Sequence, residues 1–424
     1  MSNIQMQKKM KDGFDEKTFK LVKDIGALAD KYSFRAYIVG GMVRDIFLNR
    51  KTVDVDVVVL GNGMKFAKII ADELKGAYKE FEKFKTAKIF FKNNWVDISS
   101  ARAETYEKSG ALPTVSLSSL KEDLYRRDFT INSMAISINK DNFGELFDYF
   151  CGTLDMNNKI LRTMHDKSFI DDPTRILRAI RFETRFGFKI EKRTLDLLQN
   201  SLRHNIFNNL SGERLREELF RIFDEPSPLK AIKRLKILGV LTKINPNIQV
   251  DLPSFKLFSI IASSRKLIIG YKAQLRNLYL MALLENMQIN EVEKITKMLK
   301  LSNEQKVAIT HSIELQQLPK RGLSDISQSD SGLYFLLQKY NTEAIIYFML
   351  MQNNKKQTLG IKRFIDKLQY VKIQVGGADL KDFGLKQGPE YKHILDLVLK
   401  AKLDGEVDNR EEQLRLIKRI LKGQ

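Results

Sequence analysis

Two aspartates two positions apart, Asp54 and Asp56, sit in a valine-rich run, VDVDVVVL (53–60). In a β-strand alternate residues share a face, so both carboxylates project one way while Val53, Val55 and Val57 project the other. Carboxylates held this close repel each other, and a divalent cation shared with substrate oxygens relieves that cost, which makes the pair a candidate Mg2+ site. The same spacing also fits the solvated side of an edge strand. About a dozen residues upstream lies Gly40-Gly41, with Arg44 following. Paired glycines let backbone N–H groups approach an anion closely, a helix start adds a favourable dipole, and a guanidinium on its first turn can hold phosphate oxygens. A tight turn explains each glycine separately, but neither Arg44 nor the aspartate pair. A third cluster, YRRDFTINSMA (125–135), offers Arg126, Arg127 and Asp128. Asp128 could cap a helix, or the cluster could recognise ribose and phosphate.

The elements that would position these groups are legible in the apolar pattern. Residues 14–34 predict an amphipathic helix, with Phe19, Val22, Ile25, Leu28 and Ala29 at helical spacing. Ala36–Val39 predicts a strand, Gly40-Gly41 a turn, VRDIFL a helix, and 53–60 a second strand. Lys88–Phe91 and Trp95–Ile98 predict a hairpin turning at Asn93-Asn94. Beyond Phe150 the spacing is helical almost throughout, over 174–188, 212–223, 229–241, 275–287, 332–351 and 391–402, with no comparable strand alternation. Pro226, Pro228, Pro246 and Pro253 mark the expected joints. In SGERLREELFRIF (211–223), Ser211 is an expected N-cap and Glu217–Arg221 an expected ion pair.

The chain has 424 residues, 43% of them hydrophobic and 29% charged, which is too long for one core and too apolar for disorder. Its single cysteine, Cys151, leaves no internal disulfide partner, and four histidines (165, 204, 311, 393) leave no Cys/His zinc spacing and no His-Asp phosphohydrolase motif. With no signal-peptide core and no run of about 18 apolar residues, a cytoplasmic protein without a membrane partner is expected. The net charge is +20: 25 basic against 21 acidic residues over 1–150, 19 against 12 over 151–250, and 28 against 19 over 251–424. A nearly balanced front and a basic back suit a polyanion partner, although solubility alone also favours net charge.

The motifs GGMVRD (40–45), DVD (54–56), RRDFTINSMA (126–135), DDPTRILRAIRFETRFGF (171–188) and SGERLREELFRIF (211–223), in that order, resemble those of class II tRNA nucleotidyltransferases and bacterial poly(A) polymerases, members of the polymerase β-like nucleotidyltransferase superfamily. GADLKDFGLKQGP (377–389) resembles a C-terminal segment of several members. The resemblance implies an α+β fold: a helical lead-in (1–30), a small mixed-sheet catalytic head (31–150), a helical neck carrying the nucleotide-selecting helix (151–225), and an all-α body and tail that bind RNA (226–424). It implies template-independent addition of CMP or AMP, from CTP or ATP, to a tRNA 3′ end. Asp54 and Asp56 would hold Mg2+ by two-metal chemistry; Gly40, Gly41, Arg44, Arg127, Asp128, Asp171, Asp172, Arg175, Arg178 and Arg181 would bind the nucleotide. Asp97 is either a supporting carboxylate or a polar strand residue. Lys381, Lys386 and Lys392 are candidate RNA contacts.

If 171–181 is helical, Asp172 and Arg175 are neighbours on one face, as are Asp171 and Arg175. An acceptor-only carboxylate beside a donor-only guanidinium matches the edge of cytosine or adenine, and mismatches uracil and guanine. An ordinary helix salt bridge is the plainer account. Family members usually carry Glu-Asp-x-x-Arg where this chain has Asp171-Asp172-Pro173-Thr174-Arg175. TYEKSGALPTVSLSS (105–119) resembles the flexible loop linked in this family to the switch to ATP, which disfavours a CC-only enzyme. Rival readings are an A-adding or CC-adding partial enzyme, a poly(A) polymerase, nucleotidyl transfer to a small molecule, and a non-catalytic RNA-binding protein on the same scaffold.

Overall fold

A computed structural model describes residues 2–52, 54–92, 94–318 and 329–423. Val53 and Asn93, both used in the strand and turn expectations, lie outside them. The chain divides into two compact units, Met1–Ile222 with Lys230–Ile244, and Phe223–Leu229 with Asn245–Gln424.

The first unit begins with α1 (Asn3–Gly13) and α2 (Glu16–Lys31), the second capped by Asp15, whose carboxylate accepts the Thr18 N–H at 2.7 Å. Val22, Ile25, Leu28 and Ala29 form the buried stripe of α2. Next come β1 (Arg35–Val39), α3 (Gly41–Phe47), β2 (Val55–Leu60), α4 (Gly63–Glu73), β3 (Ala77–Phe81), β4 (Thr86–Phe90) and β5 (Trp95–Ser100). β8 (Ala135–Ser137) and β9 (Leu146–Phe147) complete a mixed sheet of order β3-β4-β5-β2-β1-β8-β9, in which only β2 and β5 run parallel. One face buries Val55, Val57, Ile89, Val96 and Ile98, with α4 packed on β4 and β5. On the other face, Tyr37, Val39 and Val58 pack with Leu120 and Leu124 of α5 (Leu120–Tyr125). Asp56 shares that second face at the end of β2 that the cluster leaves uncovered, because side chains alternate along the strand.

Between these elements β6 (Arg102–Thr105) and β7 (Thr114–Leu117) form a two-stranded antiparallel ribbon, so part of the expected loop 105–119 is paired structure. The helices that follow are α6 (Gly152–Asn157), α7 (Ser168–Asp171), α8 (Thr174–Phe186), α9 (Lys192–Leu202) and α10 (Gly212–Phe223). A short parallel pair, β10 (Ile160–Leu161) with β11 (Lys189–Ile190), corrects the expectation of helix alone beyond Phe150. Two expected helices are each divided. Gly239, at φ +71°, separates Pro228–Ile237 from Val240–Ile244, and Asn341 caps Thr342–Met351 after Asp330–Leu337 has ended. The second unit is helical throughout its named elements, from Leu252–Ser263 to Arg410–Leu421. Among the described residues no helix is long and apolar enough to cross a membrane.

Candidate active site

Antiparallel pairing of Ile38 with Val57 brings the Gly40-Gly41 turn beside Asp56, and parallel pairing places Asp97 directly opposite Asp56. Asp54 precedes β2 and is exposed; Asp56 is half-buried. Burial, then the nearby Asp97 and Asp54, push the Asp56 carboxyl up to about 6, against the pull of Arg127 and Lys88. Asp97 itself pairs with Lys88 at 3.2 Å. Hard oxygen donors in a net acidic corner fit a divalent cation. Among the described residues no cluster of three or more acidic, His or Cys groups forms a closed metal cage. An ion held by Asp54 and Asp56 would therefore need oxygens from substrate or water.

Asp56 opens on a cleft of about 360 Å³ that is also lined by Gly40, Gly41, Arg44, Arg127, Asp128, Asp172, Arg175 and Arg178. Gly40 holds φ +69°, and a Cβ there would lie 2.8 Å from Arg127 Nη1. Arg127 is aimed by Asp123, a fully buried carboxylate that accepts from Arg127 Nη2 at 2.9 Å and from Arg126 Nη2 at 2.7 Å. Arg44 is buried, donating to Asn132 Oδ1 at 2.7 Å and to Asp45, with its guanidinium centre 4.7 Å from the Phe186 ring centroid.

Asp128 is not the helix cap that its position suggests, since the short turn Thr130–Asn132 starts after Phe129 with no side-chain cap. Its Oδ1 accepts from the Phe129 N–H and from Asn132 Nδ2, both at 2.9 Å, and its Oδ2 accepts from Arg178 Nε at 2.9 Å and Nη2 at 2.5 Å. Burial opposes its charge, yet Arg178 and Asn132 hold the carboxyl down to about 2.

The segment 171–181 is not one helix. α7 ends at Asp171, Asp172 is extended at φ −134°, ψ 95°, and α8 starts after Pro173. A residue before proline is pushed out of the helical region, which explains the break. Asp172 and Arg175 are therefore not a helix salt bridge. Asp172 accepts from the Thr174 N–H and hydroxyl at 3.0 and 2.6 Å and pairs with Arg214 at 2.8 Å, while Arg175 donates to Ser168 Oγ and to the Arg126 carbonyl, both at 2.7 Å. Both still line the cleft. Asp54, Asp171 and Arg181 do not: Asp54 is exposed just before β2, Asp171 lies 3.9 Å from His165 Nδ1, and Arg181 lies 3.5 Å from Glu218. Arg221 pairs with Glu218 at 3.4 Å rather than with the expected Glu217; Ser211 accepts the Arg214 N–H at 3.4 Å, as a cap should. Lys381, Lys386 and Lys392 are exposed in the second unit, on or beside the helices Gly377–Asp382 and Pro389–Leu403.

Residues 36–162 match the family model of the poly A polymerase head domain, and 187–252 match that of the probable RNA and SrmB-binding site of polymerase A. An A-adding tRNA nucleotidyltransferase of Halalkalibacterium halodurans is 32% identical over 93% of this chain and 91% of its own length. The chain belongs to the tRNA nucleotidyltransferase family. An A-adding relative from Geobacter sulfurreducens is 35% identical over 95% of the chain, and the chain spans 47% of that protein's length. A solved CCA-adding enzyme, 32% identical, superimposes with a TM-score of 0.84 over 98% of both chains.

Within this member of the family, Glu104, Tyr106, Arg126, Asn132 and Phe182 also line the cleft. The sequence offers Arg126 within the cluster that could recognise ribose and phosphate, and gives the other four no binding role. Asn132 follows Asp128 in that motif and Phe182 lies on α8, so local spacing could have found those two. Glu104 and Tyr106 carry no such signal. They arrive through the β6–β7 ribbon, where Glu104 Oε1 accepts from Arg126 at 2.9 Å and Oε2 from the Tyr106 hydroxyl at 2.8 Å. Burial and Glu104 push the Tyr106 hydroxyl well up from its ordinary value.

Proposed function

We propose that the protein adds CMP, AMP or both, from CTP and ATP, to the 3′ end of tRNA without a nucleic-acid template. The observation that carries this reading is one cleft lined by Asp56, a glycine turn, several arginines, and Asp172 with Arg175. Solved relatives have been captured with tRNA, ATP and CTP, which supports these as the substrate classes.

In the reaction the RNA 3′-hydroxyl releases its proton to water as its oxygen bonds to the α-phosphorus, the α–β phosphoanhydride bond breaks, and pyrophosphate leaves with the bonding pair. Asp54 and Asp56 would hold Mg2+, which when bound supplies charge neutralisation at the phosphates and acidifies the hydroxyl. Gly40, Gly41 and Arg127 form the wall suited to the triphosphate, and Arg44, fixed by Asn132 and Asp45, shapes the turn beneath it. Asp172 and Arg175, each oriented by its own partners, present acceptor and donor to a cytosine or adenine edge separately, instead of as a pre-formed ion pair. Two of the five Arg175 N–H donors are directed to Ser168 and Arg126, which fixes the guanidinium plane.

Restriction to the final A is a second reading, favoured by A-adding relatives that match most of the chain. Incubating the protein with labelled CTP or ATP and tRNA lacking CCA, CA or A tests both. Extension by three residues establishes CCA addition, extension of only the A-lacking substrate establishes A addition, and a long tail establishes a poly(A) polymerase. Binding without extension leaves the RNA-binding scaffold.

A further inference from the structure

The face of the sheet that carries Asp56 continues outward across three more strands. The register sets Asp56 opposite Asp97, Asp97 opposite Lys88, and Lys88 opposite Lys79, so all four side chains project from one face. The same parity puts Trp95 opposite Phe90, and Phe81 beside Lys79, on that face. With strands about 4.8 Å apart, Lys88 lies roughly 10 Å and Lys79 roughly 14 Å from Asp56 along the row. The three aromatic rings are 42–44% exposed. Lys88 Nζ lies 5.4 Å from the Trp95 ring centroid, and Lys79 Nζ lies 5.5 Å from that of Phe81.

Two features of this face are unfavourable for the folded chain alone. Lysines directly opposite one another on neighbouring strands repel, a cost that the 3.2 Å pair of Lys88 with Asp97 relieves only for Lys88, and three exposed aromatic rings leave apolar area in water. Edge lysines guard a sheet against pairing with another chain, but that role asks for no aromatics on the same face. A polyanion with flat apolar rings removes both costs. Single-stranded nucleic acid has that chemistry, with phosphates for ammonium groups and bases that stack on aromatic faces without regard to sequence.

We infer that this face is the platform for the single-stranded nucleotides just upstream of the RNA 3′ end, with Trp95 and Phe90 stacking on bases and Lys79 and Lys88 contacting phosphates. The inference rests on the proposed activity, since a 3′-hydroxyl delivered to Asp56 requires its preceding nucleotides to lie within one or two residues' reach of the carboxylates. The row leads outward from carboxylates to ammonium groups. Sequence tolerance of stacking suits a site that must accept the acceptor end at successive stages of growth.

Trp95 is the chain's one tryptophan, so its fluorescence reports on this face alone. Titrating the full-length protein with tRNA lacking its terminal A should quench Trp95 emission over the concentration range in which extension saturates. Trp95→Ala and Lys79→Ala should each raise the KM for tRNA about fivefold or more, with the KM for the nucleotide unchanged and the melting temperature retained, because both side chains are exposed. Efficient extension of tRNA with unaltered Trp95 emission and unaltered KM in both variants overturns the platform and leaves the activity standing. Absence of both extension and tRNA binding overturns the activity, and the platform with it.

Discussion

Asp128 and Arg178, 50 residues apart in sequence, meet through two hydrogen bonds of 2.9 and 2.5 Å to one carboxylate oxygen, joining the strand-rich part of the first unit to helix α8. The carboxyl is held at about 2, below its ordinary 3.8. A depressed carboxyl stabilises the fold fully above the unfolded value and loses that stabilisation as pH falls through the folded one, here from roughly pH 4 down to 2. The shift corresponds to about 2 kcal/mol. Asp128→Asn should cost about 2–3 kcal/mol, since it leaves the half-buried Arg178 with only its 3.4 Å contact to Glu218. Urea denaturation at pH 7 and pH 3 measures both effects; the variant's deficit should be smaller at the lower pH. Equal deficits at the two pH values would falsify the ion-pair account.

Removing the acidic corner should separate chemistry from binding. Asp54→Ala and Asp56→Asn are each expected to abolish nucleotide transfer while tRNA binding persists, and chelation should do the same reversibly, with Mg2+ restoring the wild type alone. Asp56 is raised to about 6, so its ionised form burdens the metal-free fold above that pH. Asp56→Asn should accordingly be more stable than the metal-free wild type at pH 8, by roughly 1–2 kcal/mol. A variant with full transfer activity refutes the metal assignment.

The glycines of the turn should not be equivalent. An alanine at 40 must hold φ +69° and meets Arg127 Nη1 at 2.8 Å, whereas a Cβ at 41 meets the Arg44 guanidinium at an ordinary 3.4 Å. Arg127 cannot retreat freely because Asp123 holds its other nitrogen. Gly40→Ala should lose about 1–2 kcal/mol of stability and raise the nucleotide KM about tenfold, and Gly41→Ala should change either far less. Steady-state kinetics with thermal melts on the two variants check this; matched effects at both positions count against the argument.

Arg175 donates to Ser168 and to the Arg126 carbonyl, so its orientation toward the cleft is set by the protein and not by Asp172. Arg175→Ala should narrow the preference for CTP and ATP over UTP and GTP by about tenfold or more, because the mismatched base edge no longer faces a fixed donor. The ratio of kcat/KM values across the four nucleotides is the measurement. An unchanged ratio rejects base selection by this side chain.

How far the sequence reveals this site depends on whether its signals are local. The strand, glycine turn, helix and second strand around Gly40 and Asp56 were readable because a period-two valine run and a pair of glycines are short-range constraints. The buried side of α8, Ile176, Leu177 and Ile180, was readable for the same reason. The break at Asp172 had a signal, Pro173, outweighed by the attractive three-residue spacing to Arg175. Arg178, Arg181 and Arg221 all meet Glu218, not Glu217, a partly long-range arrangement that spacing within α10 cannot disclose. Glu104 and Tyr106 depend on ribbon pairing whose strands, RAET and TVSL, carry little apolar alternation.

One further arginine joins the loop after β6 to the Asp172 carboxylate. Arg214 pairs with Asp172 at 2.8 Å through Nη2 and donates from Nη1 to the Gly110 carbonyl at 3.2 Å, while the Gly110 N–H donates to the Asp171 carbonyl at 3.3 Å. A Cβ on Gly110, at φ +72°, would come within 2.8 Å of the Asn209 carbonyl oxygen, so the backbone is seated closely there. Arg214 thus sets Asp172 from outside the cleft. Arg214→Ala should free Asp172 to rotate, lowering discrimination among nucleotides about threefold to tenfold with only a small loss of stability, since the pair is partly exposed. Arg214→Lys can keep one charged contact but not both hydrogen bonds, and should fall between the two. Nucleotide selectivity measured for wild type, lysine and alanine should descend in that order; a selectivity that ignores residue 214 would show that Thr174 alone orients Asp172.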